Sequence, residues 1–258
     1  MRVSALTVTR EGALDRLALA AGDFARQDHA DRELVVVHDG SGDFDRSVRA
    51  LVERLRIDAV VSREASGAPL GALRNRAVAL ARGEVVAQWD DDDRYHPRRL
   101  AIQVEALERE RADFAFLADQ LHWFPARGTL YWVDWRAEAY PLDFVQGTLV
   151  GRRAAMPAYP ESRRGEDTAA CLAIAASGAR IGRVVGAGWC YVYVYHGANA
   201  WPESHHAAIA GAKHLPDARL LAREPALREA LAGYEPPLPS LVVPCGVGPI
   251  AIDPPAHR

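Results

Sequence analysis

Disulfide chemistry has little hold on this sequence. Its three cysteines, Cys171, Cys190 and Cys245, lie far apart and make neither a CxxC pair nor an even set. Reduced thiols in a cytosolic, cytoplasmic protein are therefore the expectation. No run reaches the ~18 apolar residues of a membrane span. The opening Met1-Arg2-Val3-Ser4-Ala5-Leu6 lacks the long apolar segment and cleavage site of a secretory leader. A basic field is missing too. The formal net charge is -3, which argues against nucleic acid as a partner and leaves at most peripheral contact with a membrane. There is no internal repeat and no low-complexity stretch.

What is present suits one large α/β domain or two small ones. The chain has 258 residues, 49% of them hydrophobic, enough for a substantial core. Short, continuous apolar runs at residues 3–8, 34–37, 58–62 and 85–89 read as buried strands. Between them, residues 14–24, 44–55 and 69–83 carry apolar positions at helical spacing, the last opening on Pro69 as first helical residue and closing on Gly83. A fourth helix starts at Pro97, and a strand follows at 114–118. This alternation predicts a mostly parallel sheet flanked by helices. In such sheets ligands sit beyond the carboxyl ends of the strands. There Thr7-Val8-Thr9, His38-Asp39-Gly40-Ser41 and Asp90-Asp91-Asp92-Asp93 would meet.

The aspartate run follows the fourth strand directly. At ~5 Å and an effective dielectric of about 20, each pair of carboxylates repels by roughly 3 kcal/mol. Read alone, the run fits a solvated acidic turn as well as it fits a cation site. A loop held rigidly at a buried strand end would need a hard divalent ion, Mg2+ or Mn2+.

The pattern changes near residue 120. Residues 121–135 hold Trp123, Phe124, Tyr131, Trp132 and Trp135 around Pro125-Ala126-Arg127-Gly128, an antiparallel hairpin whose aromatics either pack or line a substrate wall. Residues 144–150 read as a strand, followed by Arg152-Arg153. Arg163-Arg164-Gly165-Glu166-Asp167-Thr168 precedes a helix closed by Gly178. By itself, Glu166-Asp167 is a favourable pair of acids in a first helical turn. Strands are predicted at 180–185 and 189–195, helices at 203–214 and 218–231, and an irregular tail from Pro236. The expected division is a nucleotide-binding half over 1–120 and an acceptor-side half over 121–200. Residues 201–258 then form helices and a tail packed on that domain.

Taken together and in this order, Thr7-Val8-Thr9, Val36-Val37-His38-Asp39-Gly40-Ser41, Gly71-Ala72-Leu73-Arg74-Asn75-Arg76-Ala77, Trp89-Asp90-Asp91-Asp92-Asp93-Arg94-Tyr95-His96-Pro97 and Gly165-Glu166-Asp167-Thr168 resemble family 2 glycosyltransferases with the GT-A fold. The resemblance covers residues 1 to about 200. It implies an inverting, metal-dependent transfer of a sugar from a nucleotide-diphosphate donor to a hydroxyl acceptor. That acceptor would be a carbohydrate, a lipid-linked sugar or another alcohol. Thr7, Thr9, Asp39, Arg74, Asp90 and Asp91 would bind the donor, with Asp39 favouring a uridine or thymidine base. His38 replaces an acid that the family usually has there. Asp92, Asp93 and His196 would stand at the metal, Mn2+ or Mg2+, although a packed role for His196 is equally open. Asp167, beside Glu166, would be the catalytic base. A nucleotidyltransferase would need more glycine than Thr9-Arg10-Glu11-Gly12 offers. A non-catalytic nucleotide-sugar-binding protein would have little use for the full acidic set. A homo-oligomer is compatible with this reading.

Overall fold

Apolar side chains alternate sides along a strand, so a strand buried on both faces must be apolar at every position. The first strand, β1 (Val3–Thr9), and the second, β2 (Arg32–His38), meet that demand at their centres, Ala5-Leu6 and Leu34-Val35-Val36-Val37, and carry their polar residues towards the ends. In this computed structural model, which describes residues 1–137 and 142–254, they pair side by side in a seven-stranded sheet. The last four residues of the predicted tail fall outside the described residues. The other strands are β3 (Ala59–Arg63), β4 (Val85–Gln88), β6 (Phe114–Leu117), β9 (Val150–Arg152) and β10 (Ile181–Val184), in the order β10-β6-β9-β4-β1-β2-β3. The strand between β4 and β6 in sequence, β5 (Arg94–Tyr95), belongs to a second sheet. Only β9 runs antiparallel to its neighbours in the first sheet.

The alternation sorts the core into two layers. Val3, Ala5, Leu34, Val36, Val85 and Ala87 face α1 (Leu14–Ala25), α2 (Gly42–Arg54) and α4 (Arg99–Arg109). Leu6, Val35, Val37 and Val86 face α3 (Leu70–Leu80) and α5 (Glu166–Ala176). Each valine or leucine among them taken out of water contributes about 1.5–3 kcal/mol. Parallel pairing of β1 with β2 puts Thr9 opposite His38, and β4 flanks β1 on its other side. The three polar strand ends therefore share one edge.

The second sheet has six strands in the order β13-β12-β8-β7-β11-β5. The hairpin is as the sequence predicts: β7 (Asp119–Phe124) and β8 (Thr129–Asp134) pair antiparallel around a left-handed Gly128. Residues β11 (Tyr191–Val194), α6 (Glu203–Lys213) and α7 (Asp217–Leu231) complete this region. Its own apolar core includes Leu121, Trp132, Val192, Leu220, Leu227 and Tyr234.

Several local expectations are corrected. Residues 144–150 are not a strand. The Thr148 hydroxyl donates to the Val145 carbonyl at 2.7 Å and accepts from the Leu117 amide at 3.0 Å, closing a 3-10 turn over Gln146–Thr148. Strand β9 begins only at Val150. Pro69 is the extended N-cap of α3, whose first helical residue is Leu70. Gly83 does not cap α3. It sits against β1, where a Cβ would come within 2.7 Å of the Arg2 carbonyl oxygen, so the glycine serves a close approach of two backbones. The tail is not irregular throughout. Strands β12 (Leu241–Val243) and β13 (Ile250–Ile252) form a hairpin that joins the second sheet beside β8. The two-residue β5, too short for periodicity to reveal, follows the aspartate loop directly and pairs with β11 at the edge of the second sheet.

Candidate active site

The aspartate loop is clamped at both ends. At its entry Trp89 is wholly buried, stacked on Tyr95 at 3.9 Å and edge-on to Phe24 at 5.6 Å. Its indole N–H donates to the Ala20 carbonyl at 3.0 Å. At its exit the buried Asp93 accepts the Val194 amide at 2.9 Å and the Tyr191 hydroxyl. Asp93 serves as an internal anchor between the loop and β11, each of its oxygens accepting a hydrogen bond from that strand. Burial, then Asp92 and Asp90, holds its carboxyl well above the usual range.

Asp90, Asp91 and Asp92 are consequently unable to spread apart. Asp90 is held by Gln88 Nε2 at 2.8 Å and by Arg74 at 3.0 Å. Asp91 accepts the Thr9 hydroxyl at 2.5 Å. Burial and the neighbouring Asp92 push the Asp91 carboxyl up to about 7. Asp92 meets His196, with Nε2 3.0 Å from Oδ2. A tertiary contact thus joins residues that the sequence separates by more than a hundred positions.

Arg74 lies between the two acidic groups. Its Nε donates to Glu166 at 2.9 Å and its terminal nitrogen to Asp90 at 3.0 Å, while the side chain is almost fully enclosed. Arg74, which also lines the cleft, thus holds the aspartate loop against the start of α5. Glu166 is buried and spent on Arg74. Burial raises its carboxyl, and Arg74 opposes the rise. Asp167, the next residue, lines the open cleft. Gly165 precedes them with φ +72°, a left-handed turn that delivers the acids to the first turn of α5.

The predicted residues divide cleanly. Thr9, Asp39, Arg74, Asp90, Asp91, Asp92, Asp93, Glu166 and Asp167 line one cleft of about 930 Å3. That is near the upper end for a small-molecule site, so there is room for more than one substrate. Thr7 and His196 are not among the lining residues; His196 reaches the aspartate loop only through Asp92, and Thr7 is turned inward. Its hydroxyl is buried and donates to the Trp89 carbonyl at 2.8 Å. Asp39, just past the end of β2, accepts the Gly67 amide at 2.9 Å. His38, in the place of the missing acid, is buried and bonded to Asp45 at 3.1 Å.

Sequence reasoning missed much of the opposite wall. Gln146, Thr168, His122, His205, His206 and Lys213 also line the cleft. Gln146 was hidden in an apparent strand, and the histidines carry no motif. Burial, followed by His206 and His205, pushes His122 down to about 3, and burial pushes His206 down to about 4. Both stay neutral in the folded chain but protonate below about 6.5 when unfolded. Their folded values are depressed, so their stabilisation is complete above pH 6.5 and declines as pH falls toward 4. Each contributes a slope of ~1 kcal/mol per pH unit in that window. His122→Phe is expected to lose less stability than the parent between pH 7 and pH 4.5 in urea unfolding. Equal losses would remove His122 from the acid response.

A divalent cation has a plausible seat judged by the donor set. Among the described residues no group of three or more His, Cys, Asp or Glu side chains is arranged to hold a metal ion. The chain itself brings a carboxylate and an imidazole together, Asp92 and His196. Mg2+ and similar hard ions commonly take one or two carboxylates and fill the remaining positions with substrate phosphates and water. The crowded Asp90–Asp92 loop would gain from the added positive charge. The residues present therefore fit such an ion.

Comparison with known proteins agrees with this fold. The model of a family described as "Glycosyl transferase family 2" matches residues 10–151. WcaA of Escherichia coli (strain K12), named for colanic acid biosynthesis as a glycosyl transferase, is 31% identical over 141 residues, covering 53% of this chain and 41% of WcaA. TuaG of Bacillus subtilis (strain 168), named for teichuronic acid biosynthesis as a glycosyltransferase, is 34% identical over 92 residues, covering 35% of this chain and 36% of TuaG. The chain thus spans less than half the length of these curated relatives. Among solved structures, S. aureus TarS 1-349 in complex with UDP-GlcNAc superposes with a TM-score of 0.60 at 17% identity, covering 91% of this chain and 68% of that one. The mannosyltransferase PcManGT from Pyrobaculum calidifontis, in complex with GDP-Man and Mn2+, gives 0.59 at 18% identity, covering 89% and 68%. At such identities the likeness shows the fold alone, and that fold is of GT-A type.

Proposed function

The chain belongs to glycosyl transferase family 2 and is a glycosyltransferase, and from that premise we propose an inverting, metal-dependent transfer from a nucleotide-diphosphate sugar to a hydroxyl acceptor. The observation that carries this reading is the shared cleft. Asp90–Asp92 and Asp167 line it together, and Arg74 bridges the two groups. The nucleoside lies along Thr9, Asp39, Asp90 and Asp91. A uridine or thymidine base suits Asp39, whose carboxylate can accept an imide N–H. TarS structures with UDP and UDP-GlcNAc support that choice, while PcManGT with GDP-Man keeps guanosine in the test.

Asp167 takes the proton of the acceptor hydroxyl, a group too weakly acidic to ionise unaided near pH 7. Attack from the side opposite the diphosphate inverts the anomeric centre. Asp92 and His196, with the donor's phosphate oxygens, would hold Mn2+ or Mg2+, which supplies positive charge to the departing diphosphate. On the far wall the half-exposed Trp201, packed against His205 at 5.2 Å, offers an aromatic face to a sugar acceptor. The names of WcaA and TuaG support a role in glycan synthesis.

A thermal-shift screen of nucleotide sugars with and without Mn2+ tests donor and metal together. Uridine or thymidine donors are expected to raise Tm, and Mn2+ to enlarge the rise. A donor held at 100 times its Kd stabilises by about 2.7 kcal/mol. Asp92→Asn should abolish the Mn2+ increment and keep the metal-free response. No shift with any nucleotide sugar would overturn the reading. An undiminished Mn2+ increment in Asp92→Asn would remove Asp92 from the metal.

A further inference from the structure

Asp167 is not free to rotate at the start of α5. Its Oδ1 accepts the backbone N–H of Thr168 at 2.6 Å and lies 3.4 Å from the Thr168 hydroxyl. That hydroxyl has a nearer acceptor, Oε1 of Gln146, at 3.0 Å. A hydroxyl carries a single hydrogen. The shorter bond takes it, so Thr168 links α5 to the 3-10 turn over Gln146–Thr148. The following residue of that turn, Gly147, borders the aspartate loop: a Cβ on it would come within 3.5 Å of Asp90 Oδ2. The turn therefore touches the donor acids on one side and α5 on the other.

We propose that Thr168 and Gln146 are positioning residues for Asp167. The Thr168 amide claims Oδ1, and the Thr168–Gln146 hydrogen bond holds the start of α5 that carries this amide; together they fix the plane of the carboxylate, which leaves Oδ2 as the oxygen that takes the acceptor's proton. The assignment rests on the reading of Asp167 as the base. In the transfer step the acceptor O–H bond breaks and its proton moves to Asp167 Oδ2. The oxygen's electron pair forms the new bond to the anomeric carbon. The bond from that carbon to the diphosphate oxygen breaks, and its pair leaves on the diphosphate. Only the proton transfer depends on the angle of the carboxylate. Donor binding, which uses Asp39 and the aspartate loop, does not.

The test compares Thr168→Val, which keeps the side-chain shape and removes the hydroxyl, with Thr168→Ser and Gln146→Leu. Each is made both in the parent and in Asp167→Asn, and kcat and the donor KM are measured by product formation. Small displacements of a reacting group cost up to about 100-fold. Thr168→Val and Gln146→Leu are expected to lower kcat by roughly 10- to 100-fold with the donor KM unchanged. Thr168→Ser should retain most of the parent rate. In Asp167→Asn neither change should lower the residual rate further, because residues that act as one unit are not additive. Should Thr168→Val fail to fold, Gln146→Leu carries the test from the other end of the contact. A parent-like kcat in the single variants, with Asp167→Asn inactive, overturns this assignment alone. An equal drop persisting in the Asp167→Asn background overturns it as well, since the residues would then act on structure. A fully active Asp167→Asn overturns the reading of the base beneath it.

Discussion

Replacing Asp167 by asparagine is expected to cut kcat by about 100- to 10,000-fold, the usual contribution of a positioned general base. Asparagine has the same shape and can still accept the Thr168 amide, but it cannot take a proton from an alcohol. Its loss leaves the aspartate-loop end of the cleft untouched, because Asp39, Thr9 and Asp90–Asp92 make their contacts without it. The affinity for a nucleoside diphosphate should therefore stay at the parent value. Single-turnover transfer, paired with calorimetric titration of the nucleotide, separates the two effects. A variant that keeps near-parental transfer would mean that another group removes the proton. Parallel loss of binding and transfer would place Asp167 among the donor contacts.

The second large effect concerns stability. Arg74→Ala removes the one guanidinium that joins Asp90 to Glu166, and Glu166 is only 2% exposed. Leaving a buried carboxylate without its partner costs about 3–5 kcal/mol. For a chain of this size each kcal/mol moves Tm by about 2–4 °C, so a fall of roughly 6–20 °C is expected. Arg74→Lys should recover only part of this, since an ammonium is a point charge and lacks the planar fork that serves two carboxylates at once. Calorimetry or circular dichroism on heating measures both. A shift below about 2 °C in Arg74→Ala would show that the arginine is not an internal clamp, and would return it to the donor-facing role that the motif alone implies.

These two predictions come from different kinds of information. The place of Asp167 at a helix start was legible from the residue pattern, because Gly165-Glu166-Asp167 is a local run, and its role as base is what the family resemblance implies. The clamp by Arg74 was not legible, because nothing in Gly71–Ala77 indicates that its guanidinium points inward to residues 16 and 92 positions away. The same distinction separates Asp92 from Asp93. Adjacent carboxylates look alike in sequence. Only the Val194 amide and the Tyr191 hydroxyl, brought back by β11, turn one of them into an anchor.

The sequence by itself determined the parallel core, the order of its strands and helices through β4, and the identity of the acids. Those features depend on apolar periodicity and on short motifs, which are properties of neighbouring residues. Tertiary structure alone decided which oxygens are spent and which remain open: Thr7 against Trp89, Glu166 against Arg74, Asp167 Oδ1 against Thr168. It also decided the far wall of the cleft and the strand pairing of the tail. Hydrogen-bond saturation and burial are set by what lies opposite in space, and chains meet there across separations that no local pattern encodes.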